Sequence, residues 1–427
     1  QATSPNALRA GALLIYTSTN PTDLRLAYNS LISIVLARYA NPVELSSTTK
    51  MLNTQAALSL YPVPASKFLI MVEVACLIAI TSIHPDIMTH ASRNLGLLVA
   101  IEKMELAPEP SGCSADLLLK RASVYEALGD TNVVVVGRIA HQKRIRKLLR
   151  TAAAPSTINM AVWIECFSRW ENRTARLEQI VDGSQDGLME WQNLTMFLAT
   201  WGGSCVCNEN RYPAFRELIQ SDDIPKQMLW PPSANKKVEE FILRMVELLR
   251  SEHLFCREAV KDALGQELHP RLYSILMNRF LTNAKDKVDR EYPWGPDLCQ
   301  CLEQAVTVLK LIFERIESET DTSNIKVSIS ALVRNLLQLL HAAPKEDSWA
   351  MRIRVKFCQM TYNLFEKRDY LALEKELLLR GQLLEAFAEW AMVELPVCLL
   401  GSVARWLLTF YLSSQIPPTR NIAHKAK

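Results

Sequence analysis

Apolar residues recur along most of the chain at the spacing of an α-helix. Between residues 238 and 250 they fall three or four positions apart, with charged residues between them. This spacing places the apolar side chains on one helix face, where they can pack against a neighbouring helix. Two later segments repeat the pattern. The apolar positions are Val238, Phe241, Ile242, Met245, Leu248 and Leu249; Leu302, Ala305, Val306, Leu309, Ile312, Phe313 and Ile316; and Leu332, Leu336, Leu339 and Leu340.

Prolines interrupt this helical pattern. Because proline lacks the amide hydrogen that a helix interior donates, each group predicts a helix end and a turn. Helix starts are predicted at Asp297, just after a proline, and near Ser330, which precedes an apolar run. Strand-like patterns are confined to Val133–Val136 and Ile325–Ser330. The breaking prolines are Pro62 and Pro64, Pro108 and Pro110, Pro231 and Pro232, Pro293 and Pro296, and Pro344.

The glycine content favours stacked helices over a nucleotide-binding α/β fold. The chain has 13 glycines in 427 residues, about 3% against a usual share of about 7%. Phosphate-binding loops and tight strand-to-helix turns need more glycine than this. We therefore predict an all-α fold, a HEAT- or armadillo-like α-solenoid of stacked helix pairs, with an irregular helical bundle as the alternative. The predicted repeats divide into residues 1–156 and residues 157–427.

Charge and hydrophobic content narrow the class of protein. Lys+Arg number 48 and Asp+Glu 45, giving a formal charge of +3, and 49% of residues are hydrophobic. This balance excludes intrinsic disorder and argues against a dedicated nucleic-acid binder. The most apolar run, Phe68–Ile80, holds about 13 residues, fewer than the roughly 20 that span a bilayer.

The cysteines and the chain start predict an intracellular protein. The chain has ten cysteines but no signal-like leader, so free thiols in a reducing compartment are expected. The start at Gln1 predicts an internal fragment of a larger protein. We expect a cytoplasmic protein with at most peripheral membrane contact. Four cysteines lie in apolar or helical stretches and are predicted to be buried: Cys76, Cys166, Cys256 and Cys358.

Positive charge is most concentrated between residues 141 and 150, a stretch without an acidic residue. Four of its five basic residues fall on one predicted helix face, with Arg144 nearby, while Ile145, Leu148 and Leu149 are predicted to face the core. Such a face can contact an anionic lipid surface or an acidic partner. The alternative is a solvated outer helix face. The basic residues are Lys143, Arg144, Arg146, Lys147 and Arg150.

Motifs for chemistry are scarce. No segment matches a Walker loop, a dinucleotide fingerprint, a nucleophile elbow or a paired-histidine zinc motif. Cys205 with Cys207 and Cys299 with Cys301 are the candidates for a zinc site, but residues two apart on a helix point in opposing directions. We predict no catalytic residues, no metal and no cofactor.

Four tryptophans are spaced through one region, at positions 163, 170, 191 and 201. Aromatic residues at this density usually fill the core between helices. A binding groove lined by these rings is the alternative.

Three stretches resemble the neurofibromin family of large Ras GTPase-activating proteins. They are Leu188–Cys205 (LMEWQNLTMFLATWGGSC), Arg257–Tyr273 (REAVKDALGQELHPRLY), and a third that runs from Arg354–Gln359 through Lys367–Asp369 to Ala388–Met392. Their order and spacing are similar to those of the helical segment upstream of that family's GTPase-activating module. The resemblance covers about half of the chain, from Gly187 to Met392.

The resemblance implies a non-catalytic role for this segment. The family accelerates GTP hydrolysis on Ras with an arginine finger, which lies in a separate module with an F-L-R-F-I-N-P-A type segment. This chain has no such segment, so Arg257, Arg354 and Arg368 are not assigned that role. The implied partners are a second copy of the chain and the downstream catalytic module, with Ras reached only through that module.

Two hypotheses follow from the sequence. The favoured one is a scaffold that dimerises and positions or autoinhibits the downstream module. The other is a helical-repeat adaptor that binds extended peptides in transport or trafficking. An enzyme with its active site in this chain is not predicted, because no nucleophile, base or metal set converges.

Overall fold

The structure is a computed structural model that describes residues 65–105, 121–177, 185–207 and 234–394, except residues 131, 134, 135, 324, 368, 369 and 372, together with residues 22, 26 and 29. Regular structure in these residues is helical, and no strand occurs among them. The all-α prediction is therefore confirmed. The α-helices are α1 (Ala65–Ala79), α2 (Pro85–Glu105), α3 (Ala122–Gly129), α4 (Arg138–Thr151), α5 (Thr157–Thr174), α6 (Gln185–Trp201), α7 (Ala234–Leu248), α8 (Leu254–Asp262), α9 (Tyr273–Asp289), α10 (Pro296–Arg315), α11 (Glu319–Thr322), α12 (Ile329–His341), α13 (Ser348–Glu366) and α14 (Glu376–Glu394).

Two of the predicted helix breaks are confirmed. Pro296 is the first residue of α10, with Asp297 in the first turn, and Pro344 lies between α12 and α13. The predicted start of α12 is wrong by two residues: Ser328 caps this helix by accepting a 3.2 Å hydrogen bond from the Ala331 amide, and Ser330 is buried inside it. The breaks at prolines 62, 64, 108, 110, 231 and 232 lie outside the described residues.

The three predicted apolar stripes are confirmed as core positions. All of their residues are buried except Leu248, which is half-buried. In α10 the stripe lies against α13, and α12 packs against α9. Burial of one apolar face thus explains why these segments form helices.

The chain separates into two compact units. The first contains the residues up to Leu248, together with His253–Ala263 and Glu267–Leu272. The second contains Leu249–Glu252, Leu264–Gln266 and the residues from Tyr273 onward. Residues 156 and 157, where the sequence predicts a division, fall within the first unit, in which α5 packs against both α1 and α6.

Four tryptophans join α5 and α6 in the core of the first unit. Each side chain is fully buried. Each indole N–H donates to the opposite helix: Trp163 to the Leu198 carbonyl at 3.0 Å, Trp170 to the Thr195 hydroxyl at 2.8 Å, Trp191 to the Thr174 hydroxyl at 3.0 Å and Trp201 to the Asn159 carbonyl at 3.2 Å. The core assignment is confirmed, and the alternative of an open aromatic groove is wrong.

The apolar helix α1 buries one acid, Glu73. Its carboxylate accepts a 2.6 Å hydrogen bond from the Tyr125 hydroxyl and forms an ion pair with Arg121. All three side chains are buried. Burial raises the pKa of Tyr125 well above its ordinary value. Arg121 and Tyr125 thus provide the partners that the buried Glu73 carboxylate needs.

No helix in the described part of the chain is long and apolar enough to cross a membrane.

The predicted free thiols are present in the described residues. Cys76, Cys166 and Cys256 are buried as predicted, while Cys358 is half-buried. Burial raises the pKa of Cys76, Cys166 and Cys358 to about 12, so each thiol is protonated at neutral pH.

Candidate functional site

The basic helix α4 begins after Gly137, whose φ of +92° is rarely adopted by other residues. Ile145 and Leu149 are buried, as predicted, and Leu148 is only half-buried. One basic residue, Arg146, is also buried, with 7% of its surface exposed. The helix therefore places a charge inside the first unit, and that charge needs a partner.

Glu267 provides that partner from a position 121 residues along the chain. Its Oε1 atom accepts hydrogen bonds from Arg146 Nε at 3.2 Å and Arg146 Nη2 at 3.1 Å. Its Oε2 atom accepts from Arg150 Nη2 at 3.4 Å and from the Thr200 hydroxyl at 3.3 Å. Arg150 Nη2 also donates to the Glu267 carbonyl at 2.6 Å. Two arginines thus share one carboxylate.

Asn193 extends this polar cluster toward the end of α1. Its Oδ1 atom accepts from Arg146 Nη1 at 3.3 Å, and its Nδ2 atom donates to the Thr81 carbonyl at 2.6 Å. Asn193 is buried. The cluster therefore links α4 and α6 to the turn after α1 and to Glu267. The Arg146 side chain is largely shielded from water, whereas that of Arg150 is 28% exposed.

The prediction of one exposed face that includes Arg146 and Arg150 is wrong, because these two side chains turn toward Glu267. Arg144 is half-buried and donates from Nη2 to the Ala127 carbonyl at 2.5 Å. Lys143 and Lys147 remain exposed. The sequence between residues 141 and 150 contains no acid. The separation of Arg146 and Arg150 from the exposed lysines therefore depends on Glu267, which only the fold brings close.

Exposed apolar residues lie at the start of α4, a feature that the sequence reading did not connect with the basic residues. Ile139 is 66% exposed, Val136 is 87% exposed and Val133 is 46% exposed. Ile139, Lys143 and Lys147 are four residues apart in turn, so they follow one another along one side of the helix. We call the residues Val133, Val136, Ile139, Lys143 and Lys147 the α4 ridge.

The two lysines of the α4 ridge differ in whether a carboxyl group lies near them. Burial raises the pKa of the Asp262 carboxyl, whereas the nearby Lys261 and Lys143 act in the opposite direction. Lys143 therefore lies within electrostatic range of the Asp262 carboxyl group. Lys147 forms no ion pair with another residue in the described ranges.

The first two stretches that carry the family resemblance meet in a close junction. Gly202–Cys205 forms a 3₁₀ turn after α6, and a Cβ atom on Gly203 would lie 2.3 Å from His269 Nδ1. The His269 amide donates to the Ala199 carbonyl at 2.9 Å. The helix α6 ends directly before Gly202, and neither Gly202 nor Gly203 has the positive φ of a left-handed glycine cap. Glycine is needed at Gly203 because the imidazole approaches the backbone closely.

The third stretch packs α13 against α14. Phe357, Met360, Leu364 and Phe365 are buried, and the Phe357 ring lies 6.2 Å from that of Phe387. Residues 368 and 369 of the third stretch lie outside the described residues.

Arg354 has a structural partner set in the second unit. It is 9% exposed, and its Nη2 atom donates to the Leu340 carbonyl at 3.2 Å and the Ala343 carbonyl at 3.0 Å. These bonds satisfy carbonyls at the end of α12, which lack intrahelical partners. Arg257 is half-exposed, and Arg368 lies outside the described residues.

The candidate metal-binding cysteines do not gather ligands. In the described ranges, no group of three or more histidine, cysteine, aspartate or glutamate side chains converges on a point that could hold a metal ion. Cys207 Sγ lies 3.5 Å from Met160 Sδ, and Cys299 is buried in α10. A search of the sequence against models of known protein families finds no match.

Proposed function

We propose that this chain is a non-catalytic scaffold segment of a neurofibromin-like Ras GTPase-activating protein. In this proposal its helices stack as a HEAT- or armadillo-like solenoid, which dimerises and positions or autoinhibits a downstream GTPase-activating module. Accelerated hydrolysis on Ras would come from that module alone, and the whole protein would act as a negative regulator of Ras signalling.

The observation that carries the proposal is the junction between the first two resembling stretches. Gly203, Glu267 and His269 all belong to these stretches, and their contacts serve packing within the first unit. Glu267 fixes α4 to α6, and His269 occupies the space that a side chain at residue 203 would need. These residues lie in the stretches that resemble the neurofibromin family, and their contacts serve helix packing. This supports a scaffold role for the segment.

Arg354 gives independent support. An arginine finger must reach out of its own protein into the nucleotide site of Ras. The Arg354 guanidinium instead donates to two backbone carbonyls of the second unit and lies 5.3 Å from the centre of the Trp390 ring. Its place in the third stretch is therefore explained by helix packing.

A single-turnover assay tests the absence of catalysis. Ras loaded with GTP is mixed with an excess of this chain, and phosphate release is compared with Ras alone and with Ras plus an isolated GTPase-activating module. We expect the chain to leave the intrinsic rate unchanged. A clear acceleration that disappears in Arg257→Ala would contradict the proposal, since this half-exposed arginine would then be acting on the nucleotide.

Self-association is tested separately by light scattering and sedimentation over a concentration series. We expect the average mass to rise from one chain toward two as the concentration increases. A mass of one chain throughout would remove the dimerisation part of the proposal. If the parent sequence beyond Lys427 carried no arginine-finger segment, the peptide-binding adaptor would become the better hypothesis.

A further inference from the structure

The α4 ridge combines exposed apolar side chains with lysines. Val136 lies just before the helix, and Ile139 lies in its first turn, so both are at the same end of α4. Lys143 and Lys147 follow Ile139 along the same side. Ile145 and Leu149 of α4 are buried in the core of the first unit. Ile139, in contrast, is 66% exposed and lies outside that core.

The charge of this surface remains available. Arg146 and Arg150 share the Glu267 carboxylate inside the first unit, and Arg144 donates to a backbone carbonyl. The two lysines of the ridge are exposed, and the Asp262 carboxyl lies within electrostatic range of Lys143. The ridge therefore carries positive charge directly beside apolar surface.

We propose that the α4 ridge binds the surface of an anionic lipid bilayer, with Val136 and Ile139 entering the boundary between headgroups and acyl chains. Lysines close to such a surface are attracted to anionic lipids, and their aliphatic stems can lie along the apolar region. Burial of apolar side chains at the boundary adds to this attraction. The proposal does not depend on the proposed role in Ras regulation.

The shape of the ridge favours a membrane over an acidic peptide. Val136 at 87% and Ile139 at 66% exposure have few protein atoms around them. A peptide-binding site is usually a groove whose walls surround the side chains of its ligand. A protruding apolar tip has no such walls, but it can enter a lipid surface that closes around it.

Vesicle flotation with the whole 427-residue chain tests this inference. Vesicles of phosphatidylcholine alone are compared with vesicles of phosphatidylcholine and phosphatidylserine. We expect binding to the second kind only, and weaker binding at higher salt. Lys143→Gln with Lys147→Gln should lower the partition coefficient about 25-fold, because each lysine near an anionic surface contributes about fivefold.

Two further pairs of variants separate the ridge from general effects. Val136→Ser with Ile139→Ser should lower the partition coefficient at least about tenfold, since it removes the apolar contribution. Lys285→Gln with Lys326→Gln removes two exposed lysines of the second unit and should leave binding unchanged. Leu254→Ser, at a leucine that is 62% exposed in α8, is the matched apolar control.

Several results would overturn the inference. These are an absence of vesicle binding, equal binding to both kinds of vesicle, or equal losses in the ridge and control variants. Binding to polyglutamate that depends on the lysines, without vesicle binding, would assign the ridge to an acidic protein partner. All substituted side chains are exposed, so an unchanged unfolding transition checks that each variant is folded.

Discussion

Replacing Glu267 by glutamine removes the negative charge on which two arginines of α4 converge. Loss of one partner from a buried ion pair typically costs about 3–5 kcal/mol. The Glu267 side chain is 18% exposed and that of Arg146 is 8% exposed, so water can replace part of the interaction. Glutamine also keeps one acceptor oxygen. We therefore expect the free energy of unfolding of the first unit to fall by about 2 kcal/mol.

The measurement is equilibrium unfolding in urea, followed by tryptophan fluorescence. Trp163, Trp170, Trp191 and Trp201 are fully buried in the first unit, so their emission contributes a signal from its unfolding, to which the other tryptophans of the nine in the chain add. Hydrogen exchange of the α4 amides provides a second readout that is specific to this helix.

A double-mutant cycle isolates the ion pair. Arg146→Met combined with Glu267→Gln should be less destabilised than the sum of the single variants, by about 1–3 kcal/mol. Glu247→Gln is the control, because its pair with Arg244 is 3.6 Å long and its side chain is 55% exposed; its effect should stay within about 0.5 kcal/mol. If Glu267→Gln were no more destabilising than Glu247→Gln, the role given to the buried carboxylate would be refuted.

Three other predictions concern stability and reactivity. Gly203→Ala should destabilise the first unit by about 1–3 kcal/mol, because the added Cβ atom would clash with His269. Gly295→Ala is the control: its Cβ atom would have no neighbour within 4 Å and its backbone is extended, so urea unfolding should change little. Equal effects of the two substitutions would contradict the clash. Hydrogen bonds from the amides of α13 lower the pKa of Asp347, so its cap should stabilise fully above the unfolded pKa of about 3.9 and lose this contribution as the pH falls through the lower folded value. The advantage of the native protein over Asp347→Asn in thermal unfolding should therefore shrink in acid, and an advantage independent of pH would refute this assignment. The Cys166 thiol, with its pKa raised by burial to about 12, should resist iodoacetamide at neutral pH until the protein unfolds, as measured by mass spectrometry of the labelled peptides; rapid labelling of the native protein would contradict its burial.

Most helices and their buried faces could be predicted from the sequence, because helix periodicity and proline breaks are local signals. The stripe in α10, the break at Pro344 and the four core tryptophans are examples. The start of α12 was missed because two serines two residues apart both resemble caps. Only the backbone conformation shows that Ser328 reaches the free amide of the first turn.

The candidate site was predicted only in part. The sequence located the basic residues of α4 and placed Ile145 and Leu149 toward the core. It could not show that Arg146 and Arg150 share a carboxylate, since that partner lies more than a hundred positions away. It also did not connect the exposed valines before α4 with the lysines that follow.

The sequence by itself determined that this protein is built from helices with apolar faces, because the spacing of apolar residues is fixed by the geometry of one helix turn. The tertiary structure alone decided which charges face water. A buried arginine requires a carboxylate within hydrogen-bonding distance, and the fold provides Glu267 for Arg146 but no such partner for Lys147 among the described residues. The same local run of basic residues was thereby divided into an internal ion-pair cluster and an exposed ridge.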